Sequence, residues 1–320
     1  MRSLVLLTVL CLSACSSTPS KETIFSITPD QLAQLKLAYY SDYFSFIGWD
    51  EAGMVAFALD NNRGRDGDQW QAEHFVVLYD AQSGWHDLPG SGAYDNRARQ
   101  LERIPDSPHF RFEGRPVDGV TIISPGNALR LETKPISAVI DRSKGLSRYR
   151  MGSAVATLYW QGRIIEGRVI HEYLYLPAFN RLTRTYAGLF HDFHGIYAVL
   201  EGGNDSGGDL YLHSQQSDFL AALTGHDDGF MVLAGEVGAL ADLDIQVTGR
   251  RQALGLYRWP RGWSGSFTAQ GEDYLFELHL EHQHNIANWI IGGFAMGIVS
   301  GRLEINGGQR SVVGLGELIL

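Results

Sequence analysis

Two short groups of residues in this chain have the types and spacing for chemistry. His171-Glu172-Tyr173 closes the run Gly162-Arg-Ile-Ile-Glu-Gly-Arg-Val-Ile-His-Glu-Tyr-Leu-Tyr175. A carboxyl group half-buried against apolar surface has its pKa raised and can pass protons near neutral pH. Glu172, with His171 and Tyr173 beside it, is therefore the candidate acid–base group. Proton transfer to a double bond is the chemistry that suits it. The plainer alternative is a strand end in which Glu172 bonds to backbone, to Arg181 or to Arg184.

The second group is Phe276-Glu-Leu-His-Leu-Glu-His-Gln-His284. In a strand, residues two apart share a face. Phe276, Leu278, Leu280, His282 and His284 then form the apolar face. If it turns inward, His282 and His284 enter or rim a cavity as ligand contacts. His-x-His on a strand is also how metal sites begin. The third reading is a strand that stops near Glu281, with the histidines in a loop. No metal is assigned and no cofactor is expected. Trp259-Pro-Arg-Gly-Trp263 is an aromatic, basic loop that could lid a cavity or touch a membrane, or simply pack a turn. His191-Asp-Phe-His194 places two histidines three apart in a turn, without a third ligand. Eight of the eleven histidines lie between residues 171 and 284.

These groups need strands to carry them, and the chain reads as strands and turns. Apolar runs such as Phe44–Trp49, Gly53–Leu59, His74–Tyr79, Gly119–Ile123, Ile136–Ile140 and Ala154–Trp160 alternate with turn signals every ten or so residues. Asn61-Asn-Arg-Gly-Arg-Asp-Gly-Asp68 reads as a long polar turn. This pattern and the 37 glycines predict barrels or sandwiches. One short helix is expected near the start: Thr28 as N-cap, Pro29 in the first turn and Gln31 completing a capping box, with Leu32, Leu35 and Tyr39 on one face.

The chain repeats itself. Gly53–Leu59 resembles Gly195–Glu201, at an offset of 195 − 53 = 142. Gly162-Arg163 resembles Gly301-Arg302 at 301 − 162 = 139, and Glu172 matches Glu317 at 317 − 172 = 145. Two matches in the same order at nearly one period predict a duplicated β-unit. The expectation is an all-β chain of two tandem lipocalin-like antiparallel barrels or strongly curved sheets. The first covers residues 28–178 and the second 179–320. The paired closings at Gly162–Tyr173 and Gly301–Leu318 resemble the tandem lipocalin-like superfamily of carotenoid hydratases (hydroxyneurosporene synthases) and AttH-type proteins. The family's Tyr-x-Asp-x-x-Trp ending is here His171-Glu172-Tyr173, with Glu for Asp and no following Trp.

The first residues address the protein. Arg2 precedes a short apolar core, too short to span a bilayer, so residues 1–14 read as a signal peptide. Leu12-Ser13-Ala14-Cys15 resembles the bacterial lipobox, which implies cleavage before Cys15 and its acylation. Ser16 resembles the sorting pattern for the Gram-negative outer membrane. Residues 15–27 are then a lipidated flexible tether, and the protein faces the periplasm. The other cysteine, Cys11, lies inside the signal, so thiol catalysis, disulfides and cysteine-based zinc sites are excluded from the mature chain. Losing Arg2 takes the net charge from −10 to −11, and no basic patch appears, which disfavours nucleic acid. There is no Gly-x-Ser-x-Gly elbow, phosphate-binding Gly-Lys-Ser/Thr loop or His-Glu-x-x-His helix.

The functional expectation is a membrane-anchored envelope protein that binds or carries a hydrophobic lipid or isoprenoid. The alternative is a hydratase or isomerase acting on such a ligand. A third reading is a structural module for another envelope protein.

Overall fold

The computed structural model describes residues 37–66, 69–88, 92–95, 110–144, 147–176, 193–200, 208–215, 227–233, 235–252, 258–289 and 292–319. The first sheet is built from β1 (Leu37–Asp50), β2 (Gly53–Asp66), β3 (Gln69–Asp80), β4 (Gly84–Asp87), β5 (Gly92–Asp95), β6 (Arg111–Arg115), β7 (Gly119–Ile123), β8 (Leu129–Thr133), β9 (Ser137–Lys144), β10 (Ser147–Trp160) and β11 (Arg163–Leu176). Its order is β4-β3-β2-β1-β11-β10-β8-β7-β6, with β5 on β3 and β9 on β10.

The remaining strands are β12 (Phe193–Leu200), β13 (Gly208–Gln215), β14 (Asp227–Leu233), β15 (Glu236–Ala239), β16 (Ala241–Val247), β17 (Arg250–Gln252), β18 (Arg258–Pro260), β19 (Gly262–Ala269), β20 (Glu272–Trp289), β21 (Gly292–Ile305) and β22 (Gly308–Ile319). The second sheet runs β15-β14-β13-β12-β22-β21-β20-β19-β16, and β17 pairs β18 separately. Its two ends meet where the Leu240 amide donates to the Gly229 carbonyl of β14 at 3.0 Å. The fold is therefore all-β, two curled antiparallel sheets in tandem. A 3₁₀ turn at Pro125–Asn127 is the one helical element among the described residues. The expected helix start at Thr28 lies outside them, and Tyr39, which that helix was to carry, belongs to β1.

Three apolar layers hold the molecule together. Phe44, Phe46, Phe57, Leu131 and Val169 fill the inside of the first sheet. Ile196, Leu210, Trp263, Phe276 and Val299 fill the second. A third layer lies between the outer faces: Tyr43, Ile47, Phe75, Met151 and Ile170 of the first unit meet Tyr197, Tyr211, Phe230, Met296 and Leu315 of the second. The central strands are buried on both faces, so they read as apolar runs rather than as clean alternation.

The duplication is present, but its register differs from the sequence match. β1 and β12 occupy the same place in the two sheets, next to β11 and β22. Gly53 opens β2 and Gly195 lies in β12, so that match compared strands with different partners. The closing hairpins turn at Gln161-Gly162 (φ 50° and 77°) and Asn306-Gly307 (φ 48° and 77°), a left-handed pair suited to a two-residue hairpin. Gly162 thus corresponds to Gly307, at an offset of 307 − 162 = 145. Gly301 sits within β21, where a side chain would meet the Glu277 carbonyl at 2.1 Å. The Glu172–Glu317 match keeps the hairpin register. Arg163 explains why Arg follows the first turn. It grips Asp50 through two 2.6 Å bonds and Asp80 at 3.1 Å, joining three hairpin ends. The predicted turn at Asn61–Asp68 is largely strand, since β2 runs on to Asp66.

Candidate functional site

Glu172 stands on β11 opposite Tyr43 of β1 and Met151 of β10. Its side chain leaves the outer face of the first sheet and enters the layer between the units. There the Tyr211 hydroxyl of β13 donates to Oε2 at a long 3.4 Å. Glu317 stands at the corresponding place on β22, opposite Gly195 and Met296. Asp60 completes an acidic group. It lies opposite Tyr43 on β2 and accepts a 2.7 Å bond from Ser41. Tyr43, Tyr149 and Tyr211 are buried around the three carboxyls, whereas Glu172, Glu317 and Asp60 each keep some solvent-accessible surface. Three partly exposed carboxyls thus gather among buried tyrosines in the layer between the units.

The electrostatics favour protons. Burial, then the Asp60 charge, push the Glu172 carboxyl up to about 8, against hydrogen bonds from Tyr211 and Tyr149. Burial, Asp60 and Glu172 together push Glu317 well above the usual carboxylate range, against a bond from Tyr43. Desolvation disfavours the anion, and like charges cannot all ionise at close range. At neutral pH Glu172 is mostly the acid, able to donate, and Glu317 is shifted in the same direction. Among the described residues no set of three His, Cys, Asp or Glu side chains is arranged to hold a metal ion.

The triplet does not act as one unit. Side chains alternate along a strand, so His171 and Tyr173 point to the inside of the first sheet while Glu172 points out. His171 Nε2 lies 2.8 Å from Asp42 Oδ1, and its ring stacks on Phe44 at 4.5 Å. His171 and Tyr173 are both buried there. Arg181 and Arg184 lie outside the described residues. The ladder pairs Tyr43 with Glu172 and Gly195 with Glu317, so Asp42 corresponds to His194 and His171 to Gly316. The second unit fills the vacated place with Trp263. Its ring comes within 3.7 Å of a side chain built at Gly316, and its Nε1 donates to His194 Nδ1 at 3.3 Å. Each unit thus carries a polar couple at the same interior position.

His282 and His284 do not enter the second unit. β20 continues to Trp289 but slips register between Glu281 and His284, with His282 at φ 45°. Such a bulge redirects side chains. Both histidines turn to the first unit: the His282 ring lies 5.3 Å from that of Tyr79, and His284 stacks on Trp85 and bonds Asp87 at 2.8 Å. Trp259 and Trp263 are core residues of the second unit, 2% and 0% exposed, rather than an exposed lid. Cys15 and His191 lie outside the described residues.

Reading the sequence passed over Tyr43, Asp60, Tyr149 and Tyr211, which complete the acidic group. It also passed over the buried Asp209, which Arg168 grips with two 2.5 Å bonds and Tyr197 reaches at 3.2 Å. The one visible signal was Asp60, the first polar residue after an apolar run.

A tandem lipocalin-like architecture of this kind is already known. The crystal structure of an AttH-type protein from Nitrosomonas europaea superposes with a TM-score of 0.57 over 98% of each chain, at 9% sequence identity. Kievitone hydratase from Nectria haematococca superposes with a TM-score of 0.51, covering 87% of this chain and 88% of its own, also at 9% identity. The shared property is the fold. No protein-family model matches the sequence, and no curated protein matches it.

Proposed function

We propose that the protein binds an apolar ligand, a lipid or isoprenoid, in a recess between its units beside the three carboxyls, and transfers a proton to it from Glu172. The observation that carries this is a carboxyl group held as the acid near neutral pH, with an accessible face, inside a layer of aromatic and aliphatic side chains. A carboxylic acid in such a place can protonate one carbon of a double bond. In hydration, water then adds to the neighbouring cationic carbon and returns its extra proton to the Glu172 carboxylate. In isomerisation, that carboxylate takes a proton from the next carbon instead. The fold shared with kievitone hydratase supports a reaction of this class.

Acylation of Cys15 would hold the protein to the envelope, and two or more acyl chains make such an anchor stable. This part of the reading rests on the sequence of residues 1–16.

The carrier reading keeps the recess and drops the chemistry. Native mass spectrometry of protein isolated from its own membrane identifies the bound molecule, and the purified molecule then serves as substrate for wild type and Glu172→Gln. Turnover by wild type, with binding but no turnover by Glu172→Gln, supports the enzyme. A ligand that is bound and recovered unchanged by wild type overturns it in favour of a carrier.

A further inference from the structure

We propose that the β17–β18 hairpin docks on the headgroups of an anionic phospholipid bilayer through Arg250, Arg251, Arg258 and Arg261. The inference is independent of the acid site between the units.

The chain is acidic as a whole, with 36 Asp and Glu against 26 Lys and Arg and a net charge of −10. Between Asp244 and Glu272 the balance reverses, because that stretch holds these four arginines and no acid. In linear order Arg250 and Arg251 stand apart from Arg258 and Arg261. Antiparallel pairing folds them together: Arg250 lies opposite Pro260, Arg251 opposite Trp259 and Gln252 opposite Arg258.

The hairpin is a fixed frame. Trp259 is 2% exposed and roots it in the core of the second unit. At its base the Arg261 amide donates to the Gly249 carbonyl at 3.1 Å, and the Thr248 amide to the Gly262 carbonyl at 2.9 Å. Side chains alternate along a strand, so Arg250 and Arg258 lie on the face opposite Trp259. The Arg250 guanidinium donates to the Arg258 carbonyl at 3.2 Å, which lays it across β18. Arg251 is half-buried and donates to the Gln283 side chain of β20. Arg250, Arg258 and Arg261 are exposed. The segment Trp259–Trp263 thus divides its labour, with both tryptophans packed inward and the basic side chain between them turned to solvent.

The charge of this patch is not spent inside the molecule. Elsewhere surface arginines hold carboxylates: Arg111 pairs with Glu113, Arg115 with Asp118, Arg130 with Glu132 and Arg302 with Glu277. Arg251, Arg258 and Arg261 meet no carboxylate among the described residues. On the neighbouring β20, Glu277 is taken by Arg302 and Glu281 by Ser300. A long soluble polyanion needs a stripe of cations. A bilayer needs only a patch, since its anionic lipids move to meet it, and acidic surface more than a Debye length away is screened. Each basic residue at such a surface strengthens partition about fivefold. Beside the acyl anchor proposed at Cys15, the patch would set which side of the protein faces the membrane.

Vesicle partition of the full chain carrying Cys15→Ser tests this without an acyl anchor. Vesicles of phosphatidylcholine are compared with vesicles in which about a third of the lipid is phosphatidylglycerol, and the ratio cancels what residues 1–14 contribute to both. The ratio is expected to lie well above one at low ionic strength and to collapse in high salt. It should fall roughly fivefold for each hairpin arginine changed to glutamine, and approach one when all four are changed. Lysine at all four positions should preserve it, because the charge suffices. Glutamine at Arg111, Arg115, Arg302 and Arg310 should leave it nearly unchanged. The proposal is overturned by a ratio of one for the parent, by losses in this control set as large as in the hairpin set, or by loss in the lysine set. Retention on heparin without preference for the phosphatidylglycerol vesicles would assign the hairpin to a soluble polyanion and equally overturn docking on a bilayer.

Discussion

Glu172 and Glu317 occupy the same position on the closing strand of their respective units, and both enter the layer between them, each raising the proton affinity of that layer. Duplication has brought two copies of one acid face to face. In a single unit either would be a carboxylate on an open sheet face. Burial in that layer, with the Asp60 charge beside them, raises the proton affinity of both carboxyls.

This arrangement has a pH signature. A carboxyl whose folded pKa is raised stabilises the fold fully below its ordinary value of 4.5, and that contribution is lost as pH rises towards about 8. Wild type should lose thermal stability from pH 5 to 8, by on the order of 2–3 kcal/mol after allowance for the partial exposure of both groups. The Glu172→Gln/Glu317→Gln double variant should be nearly flat over that range and the more stable protein at pH 9. Parallel melting curves for the two proteins contradict the assignment.

Arg168 and Asp209 should behave as a buried pair. Asp209 is fully buried and Arg168 partly so. Removing one partner leaves the other charge stranded, at a cost of roughly 3–5 kcal/mol. Arg168→Met should therefore lower the denaturant midpoint strongly, and adding Asp209→Leu should restore much of the loss. Additive losses in the double variant would show that packing, not charge, holds this contact.

The hairpin clamp predicts sensitivity at the acid end. Hydrogen bonds from Arg163 hold the Asp50 carboxyl below its usual range. Asp80 is also lowered, with bonds from Ser83 and Arg163 outweighing burial. Stability from these groups is present above their ordinary 3.8 and disappears as pH falls through the depressed values. Arg163→Lys, which loses the planar fork, should cost about 1–2 kcal/mol at pH 7. That difference should shrink towards pH 2, as urea titrations at both pH values would reveal.

Anchoring is tested at Cys15. Cys15→Ser expressed in a Gram-negative host should incorporate no labelled palmitate and leave the detergent phase on phase separation, whereas wild type incorporates label and stays there. Label retained by the serine variant would place acylation elsewhere.

Much of the architecture was present in the order of residues alone. Apolar runs punctuated by turns dictate an all-β chain, because short strands with Gly-rich turns cannot bury their faces otherwise. The Glu172–Glu317 repeat was legible because both count from equivalent two-residue turns. Glu172 stood out as an acid at the end of an apolar strand, the surroundings that raise a carboxyl pKa.

Only tertiary structure decided which residues share a site. Strand geometry sends His171 and Tyr173 to the inside and Glu172 to the outside, although they are neighbours in sequence. A single bulge at His282 carries two histidines from the expected interior to the other unit. Tyr43, Asp60, Tyr149 and Tyr211 join the acidic group from four strands, and their distance apart in sequence hides that convergence. Sequence order specifies the strands and their turns through local backbone preference and apolar burial. Which face of one sheet meets which face of the other follows from pairing register and packing, and that meeting makes Glu172 an acid.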